Sequence, residues 1–208
     1  MGKSSSSLFK SKGGLILILA AIILIIYINE SHIRKYLDIF TSEAPKENLK
    51  KAENALEKHD IQGSLDAINI AIESLDFVEN YTDSVATYFI EKSINELENL
   101  KTEIEKEELN IDDYKHAYYE AYSSMAYTNL RLSELEFKEG SKEKAYEHFS
   151  NCFSYLQMAL KYVTDPKKDN EIRLINEVNA ILTALNAHED LDNFDFNKIN
   201  GEMEELMN

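Results

Sequence analysis

Residues 13–28 (GGLILILAAIILIIYI) carry no charge, and apart from Gly13, Gly14 and Tyr27 they are all Leu, Ile or Ala. No other stretch constrains the fold as strongly. As a helix it spans about 24 Å, somewhat less than the roughly 30 Å hydrocarbon core of a bilayer. Tyr27 at the interface and a snorkelling Lys12 make up the difference. Burial inside a globular core would demand apolar neighbours on every side, whereas the helical patterns downstream carry one apolar face each. A cleaved secretion signal would share the basic Lys3, Lys10 and Lys12 before the apolar run. The following "IYINESHIRKY" places Tyr27, Asn29 and His32 where cleavage needs small residues. The expectation is therefore a retained transmembrane anchor at residues 13–29. Three lysines precede it, against Arg34 and Lys35 just after it. That bias puts the short basic tail, residues 1–12, in the cytoplasm and the large domain outside it. The expected location is that of a single-pass protein of a bacterial plasma membrane.

The rest of the chain is acidic, with a formal net charge of −16 overall. Such a surface disfavours phosphate-backbone binding, so no nucleic-acid partner is expected, and it disfavours lying flat on anionic lipid. Cys152 is the only cysteine, which rules out an intrachain disulfide. With two prolines and six glycines in the whole chain, little interrupts long helices.

Residues 30–44 form a juxtamembrane linker or helix, and a soluble all-helical domain is expected over residues 45–189. Thr41 or Ser42 can cap the first helix, with Pro45 early in it. Leu49, Ala52, Ala55 and Leu56 make its apolar face. Asp60 is the expected N-cap of a second helix with Leu65, Ile68, Ala71, Ile72 and Leu75 on its face. There Gly63 reads as a point of close helix approach. A long helix over residues 82–108 presents Val85, Phe89, Ile90, Ile94, Leu97, Leu100 and Ile104. Its thinly apolar second half is expected to project beyond the other helices. The next, capped by Asp112, carries Tyr114, Tyr118, Tyr122, Met125, Leu132 and Leu135 along one side. Gly140 and Ser141 separate it from a helix with Ala145, Phe149, Cys152, Phe153, Leu156, Ala159, Leu160 and Val163. Asp165 as N-cap and Pro166 at the first helical position open the last long helix, whose face is Ile172, Ile175, Val178, Leu182 and Leu185. An acidic, weakly ordered tail at residues 190–208 holds Phe194, Phe196, Ile199 and Met203, enough for a short, loosely docked helix. The fold class is all-α: a transmembrane helix, then an antiparallel helical bundle or a short stack of helical hairpins. One long coiled coil does not fit, because heptads do not persist across the breaks.

Two stretches resemble each other. One sets Ala52, Ala55, Leu65, Ile68, Ala71 and Ile72 around His59–Asp60; the other sets Leu132, Leu135, Ala145, Phe149, Cys152 and Phe153 around Gly140–Ser141. Both resemble the tetratricopeptide hairpin, most clearly at Gly140, Ala145 and Phe149, with Cys152 where alanine is usual. In the first copy His59, Ser64 and Ile68 stand in place of glycine, alanine and an aromatic. The copies start about eighty residues apart, against the thirty-four-residue repeat of true arrays. The resemblance implies a scaffold that holds peptides or partner proteins.

No catalytic, cofactor-binding or metal-binding set emerges, and no enzyme is expected. His32, His59, His116, His148 and His188 form no metal-ligand pattern. His148 lies four residues before Cys152, a pair that needs two more ligands to hold a metal. Tyr114, Tyr118 and Tyr122 repeat every four residues, with Tyr119, Tyr127, Tyr146, Tyr155 and Tyr162 nearby. They read as an aromatic seam between helices or, if exposed, as a partner surface. The expected function is a membrane-tethered helical scaffold that binds a protein partner or itself and touches lipid through residues 13–29. A ligand- or metal-sensing helical module is the alternative.

Overall fold

The computed structural model describes residues 44–164, 166–186 and 195–208. The anchor expected at residues 13–29, both flanks of it, the caps at Thr41, Ser42 and Asp165, and Phe194 lie outside the described residues. Residues 39–208 cluster as one unit. The described part of it is entirely helical between turns: α1 (Ala44–Glu57), α2 (Ile61–Glu79), α3 (Ser84–Glu105), α4 (Ile111–Lys138), α5 (Lys142–Ala159), α6 (Lys168–Asn186) and α7 (Phe196–Met207). No strand occurs among the described residues.

Local chemistry sets most of the boundaries. The Asp60 carboxylate accepts from the Gly63 N–H at 3.0 Å and caps α2. Gly63 is explained by that cap and not by a neighbouring helix: a Cβ there would lie 2.3 Å from Asp60 Oδ2. Asp83 caps α3 by accepting from Val85 and Ala86, each at 3.0 Å. Asn110, two residues ahead of the expected Asp112, caps α4 through a 2.9 Å bond from the Asp112 N–H. α6 begins at Lys168, beyond Pro166, which lies in the preceding turn.

Three helices end in the same way. At His59, Gly140 and Glu107 the backbone turns left-handed, with φ of 58°, 81° and 57°. The N–H of each bonds back three residues and the next N–H bonds back five, as in Asp60 to Ala55 at 2.9 Å and Ser141 to Glu136 at 2.8 Å. This is the Schellman arrangement, which satisfies carbonyls the helix would leave open. Gly140 meets the positive φ without strain, whereas His59 and Glu107 carry a Cβ into it. The turns of the two hairpins that resemble each other thus share one backbone geometry, and so does the α3–α4 turn, which belongs to neither.

Neighbours in sequence are neighbours in space: α1 packs on α2, α2 on α3, α3 on α4, α4 on α5, α5 on α6 and α6 on α7. α7 also returns to α4. The centre is α4. Every residue from 117 to 130 is buried, including Tyr118, Tyr119, Ala121, Tyr122, Met125, Tyr127 and Leu130, which point in all directions around the helix. The expectation of one apolar face per helix fails here. Three polar members of the stretch are compatible with burial because they bond to carbonyls of their own helix: Ser124 to Ala121, Thr128 to Ser124 and Asn129 to Met125, at 2.9–3.0 Å. Ser93 on α3 reaches the Glu120 carbonyl at 2.9 Å, and Ser133 reaches the Ala145 carbonyl at 2.8 Å.

The charged second half of α3 does not project: Leu97, Leu100 and Ile104 are buried. Leu135, expected inside, is 51% exposed, and Val85 is 40% exposed. α6 buries Val178 and Leu182 of its expected face, but the start of that face is shifted. Glu171, Leu174, Val178 and Leu182 are buried, while Ile172 is 39% exposed.

Candidate functional site

The tyrosine rows lie inside. Tyr114, Tyr118 and Tyr122 run down α4, and Tyr155 of α5 and Tyr162 just beyond it close over them. Tyr114 and Tyr118 have ring centroids 4.4 Å apart, and Tyr122 stacks on Tyr162 at 5.7 Å. α1 provides the acceptors. Glu53, half-buried, takes hydrogen bonds on one oxygen from Tyr114 at 3.1 Å and Tyr162 at 3.0 Å. The Leu49 carbonyl takes one from Tyr118 at 3.0 Å. Tyr122 is different, because its buried hydroxyl has no hydrogen-bond partner. Burial first, and the Glu53 carboxylate as a shared lesser cause, push all four phenols above their ordinary range. Tyr114, Tyr118 and Tyr162 therefore act as neutral donors that join α1 to α4 and to the segment just beyond α5, and the buried rows offer no partner surface.

Glu171 is the least expected residue of the interior. It is 1% exposed, on a helix whose neighbouring Ile172 faces water. One carboxyl oxygen accepts from the Tyr119 hydroxyl at 3.2 Å, and the other has no hydrogen-bond partner. Burial pushes its pKa up to about 7, opposed by the Tyr119 hydrogen bond and the Lys167 charge. Burial, with Glu171 as the lesser cause, also pushes the Cys152 thiol upward. Cys152 is accordingly a protonated core residue rather than a nucleophile. Sequence periodicity points away from Glu171, since an acid between two apolar rows reads as solvent-facing.

His148 does not join Cys152 in a ligand set. Its Nδ1 sits 3.3 Å from Asn129 Oδ1, inside the α4–α5 interface. Among the described residues, no three His, Cys, Asp or Glu side chains converge on a metal position. A cleft of about 110 Å³ opens between α6 and α7, bordered by Lys167, Asn170, Arg173 and Glu202. It falls below the roughly 300 Å³ at which small-molecule pockets begin.

A second polar group ties the ends of the elements together. Arg131 on α4 bonds Asp83 at 2.5 Å and also pairs with Glu134. Lys138 reaches Glu134 at 2.6 Å, and Asn200 of α7 donates to it at 3.0 Å. Burial alone would raise the Glu134 carboxyl, but the Lys138 and Asn200 hydrogen bonds and the Arg131 charge hold it below the ordinary value. Through Asp83 the same group fixes the start of α3, one of the places where apolar side chains are exposed. Val85 and Tyr88 stand three residues apart on one side of α3, with Tyr88 55% exposed, and Tyr81 is exposed in the turn before them. Among the described residues Tyr81 and Tyr88, and not the rows on α4, are the exposed tyrosines. A spacing argument built on α4 misses them because they do not repeat.

Among the described residues no helix is long and apolar enough to cross a membrane. Compared with known proteins, the chain matches no family model, no curated protein and no solved structure.

Proposed function

We propose that this chain is a membrane-tethered helical scaffold that binds protein and performs no catalysis. Residues 13–29 are its anchor in a bacterial plasma membrane, with residues 1–12 in the cytoplasm and the helical domain outside. The observation that supports partner binding is the outward apolar side of α3. Val85 was expected in the core, yet it lies beside the exposed Tyr88 at a point braced by the Asp83–Arg131 pair. Departures from the core pattern concentrate where a sequence serves something other than folding, and tyrosine supplies contact area at low entropy cost. The likeness of the α1–α2 and α4–α5 pairs to tetratricopeptide hairpins adds the expectation of a peptide-holding scaffold.

Two measurements test this reading. Val85→Asp combined with Tyr88→Ser, in the full chain, should reduce cross-linked partner recovery from native membranes by about tenfold. Unchanged recovery would remove the α3 face from the account. Leu24→Asp should release the protein from membranes into the carbonate-extracted fraction with its helical signal intact. Equal partitioning of variant and parent would show that residues 13–29 are not the anchor.

A further inference from the structure

α7 is attached to the rest of the domain in an unusual way. Ile199, Met203, Leu206 and Met207 are buried, but much of its fixing is polar and comes from four separate elements. Lys92 of α3 donates to the Met207 carbonyl at 2.8 Å, and Lys167, just before α6, donates to the Leu206 carbonyl at 2.6 Å. The two ammonium groups thus neutralise the negative end of the helix dipole. Tyr127 of α4 donates to Glu204 at 2.6 Å, Asn200 donates to Glu134 at 3.0 Å, and Lys198 pairs with Glu177 of α6 at 2.7 Å. Phe196 packs against Phe137 and Phe149, with ring centroids 5.9 and 6.5 Å away. The place beneath α7 is therefore a groove with an apolar floor that recognises one helix by its apolar spacing, its Asn and Glu, and its last carbonyls.

Two features make departure from that groove easy. α7 has twelve residues, a length at which an isolated helix is marginal in water. Gly201 sits in its interior, where a Cβ would meet nothing within 4 Å, so packing does not require the glycine. It lowers helix propensity without a compensating contact. Eight residues, 187–194, join α6 to Asp195, a length whose full extension reaches roughly 26–29 Å.

We infer that α7 exchanges between copies: the α7 of one chain occupies the groove of a second copy, giving a reciprocal pair. The second copy is the occupant because its α7 presents every group the groove engages, so exchange reproduces the intrachain contacts without new chemistry. The exchange uses the α3, α4 and α6 side of the groove and is independent of the outward Val85–Tyr88 face.

Full chain labelled with nitrogen-15 is mixed one to one with unlabelled chain in detergent micelles. A carbodiimide then couples Lys198 to Glu177, and the joined peptides are weighed by mass spectrometry. Exchange predicts that Lys198–Glu177 pairs of mixed isotope rise with incubation toward about half of all such pairs. Gly201→Ala, which strengthens the helix without touching a neighbour, should slow that rise severalfold. Lys198–Glu177 pairs that remain of single isotope throughout would overturn the inference, and so would mixed pairs joining Lys198 only to other carboxylates. Either result leaves partner binding at Val85 and Tyr88 to be judged by its own test.

Discussion

α4 and α7 reach burial by opposite means. α4 is enclosed along residues 117–130, and most of its hydrogen-bonding side chains answer to its own carbonyls or to α1. α7 buries one stripe and takes its remaining anchorage from lysines and carboxylates on α3, α4, α6 and the turn before α6. The first arrangement cannot be undone without losing the core. The second can be undone locally, since its polar partners regain water on release. Stability in this domain is therefore expected to be graded, highest at the tyrosine-lined centre and lowest at the last helix.

The largest effect that would break this contrast lies in α4. Tyr118→Ala should lower the stability of the whole domain by about 3–5 kcal/mol, read as a shifted denaturant midpoint, because it empties a fully buried aromatic site. A loss confined to the α1–α2 end would show that α4 is not the common centre.

Next in size is Glu171, which lies between the two regions, bonded to Tyr119 of α4. The folded protein keeps its proton up to a pKa of about 7, whereas the unfolded chain loses it near the ordinary carboxyl value of 4.5. Folding therefore takes up a proton inside that window, and stability falls as pH rises through it. Glu171→Gln imitates the protonated state. It should match the parent below about pH 4 and exceed it by about 3 kcal/mol above pH 8, as measured by urea unfolding across pH. Parallel pH profiles for the two proteins would contradict the buried-carboxyl account.

The smallest effects separate two neighbouring hydroxyls of α4. Tyr118→Phe should cost about 1 kcal/mol, since the Leu49 carbonyl loses its donor. Tyr122→Phe should be neutral or slightly stabilising, because its hydroxyl has no partner to lose. Equal costs at both positions would mean that ring packing alone governs the centre.

Much of this architecture is legible in the residues. The breaks at His59–Asp60 and Gly140–Ser141, the Asp60 cap, and the inward Leu49, Ile68, Phe89, Phe149 and Leu156 follow from periodicity and turn chemistry. The all-round burial of α4 does not. Ser124, Thr128 and Asn129 look like solvent-facing residues until their bonds to nearby carbonyls are known. The shift at the start of α6 is hidden for another reason: the inward Val178 and Leu182 can be continued toward the N-terminus by Ile172 and Ile175 or by Leu174. Only the neighbouring helices decide between them, and their choice carries Glu171 inward. α7 looks weak because five apolar positions over twelve residues promise little, while its lysine partners lie far away in sequence at Lys92 and Lys167.

Native-state hydrogen exchange on the full chain in micelles, read residue by residue, tests the graded-stability claim most directly. Amides of residues 117–130 should exchange only through global unfolding, with a free energy that follows the denaturant-derived value. Those of residues 199–207 should exchange through a separate opening at least about 2 kcal/mol lower. A single shared free energy for α4 and α7 would contradict the account.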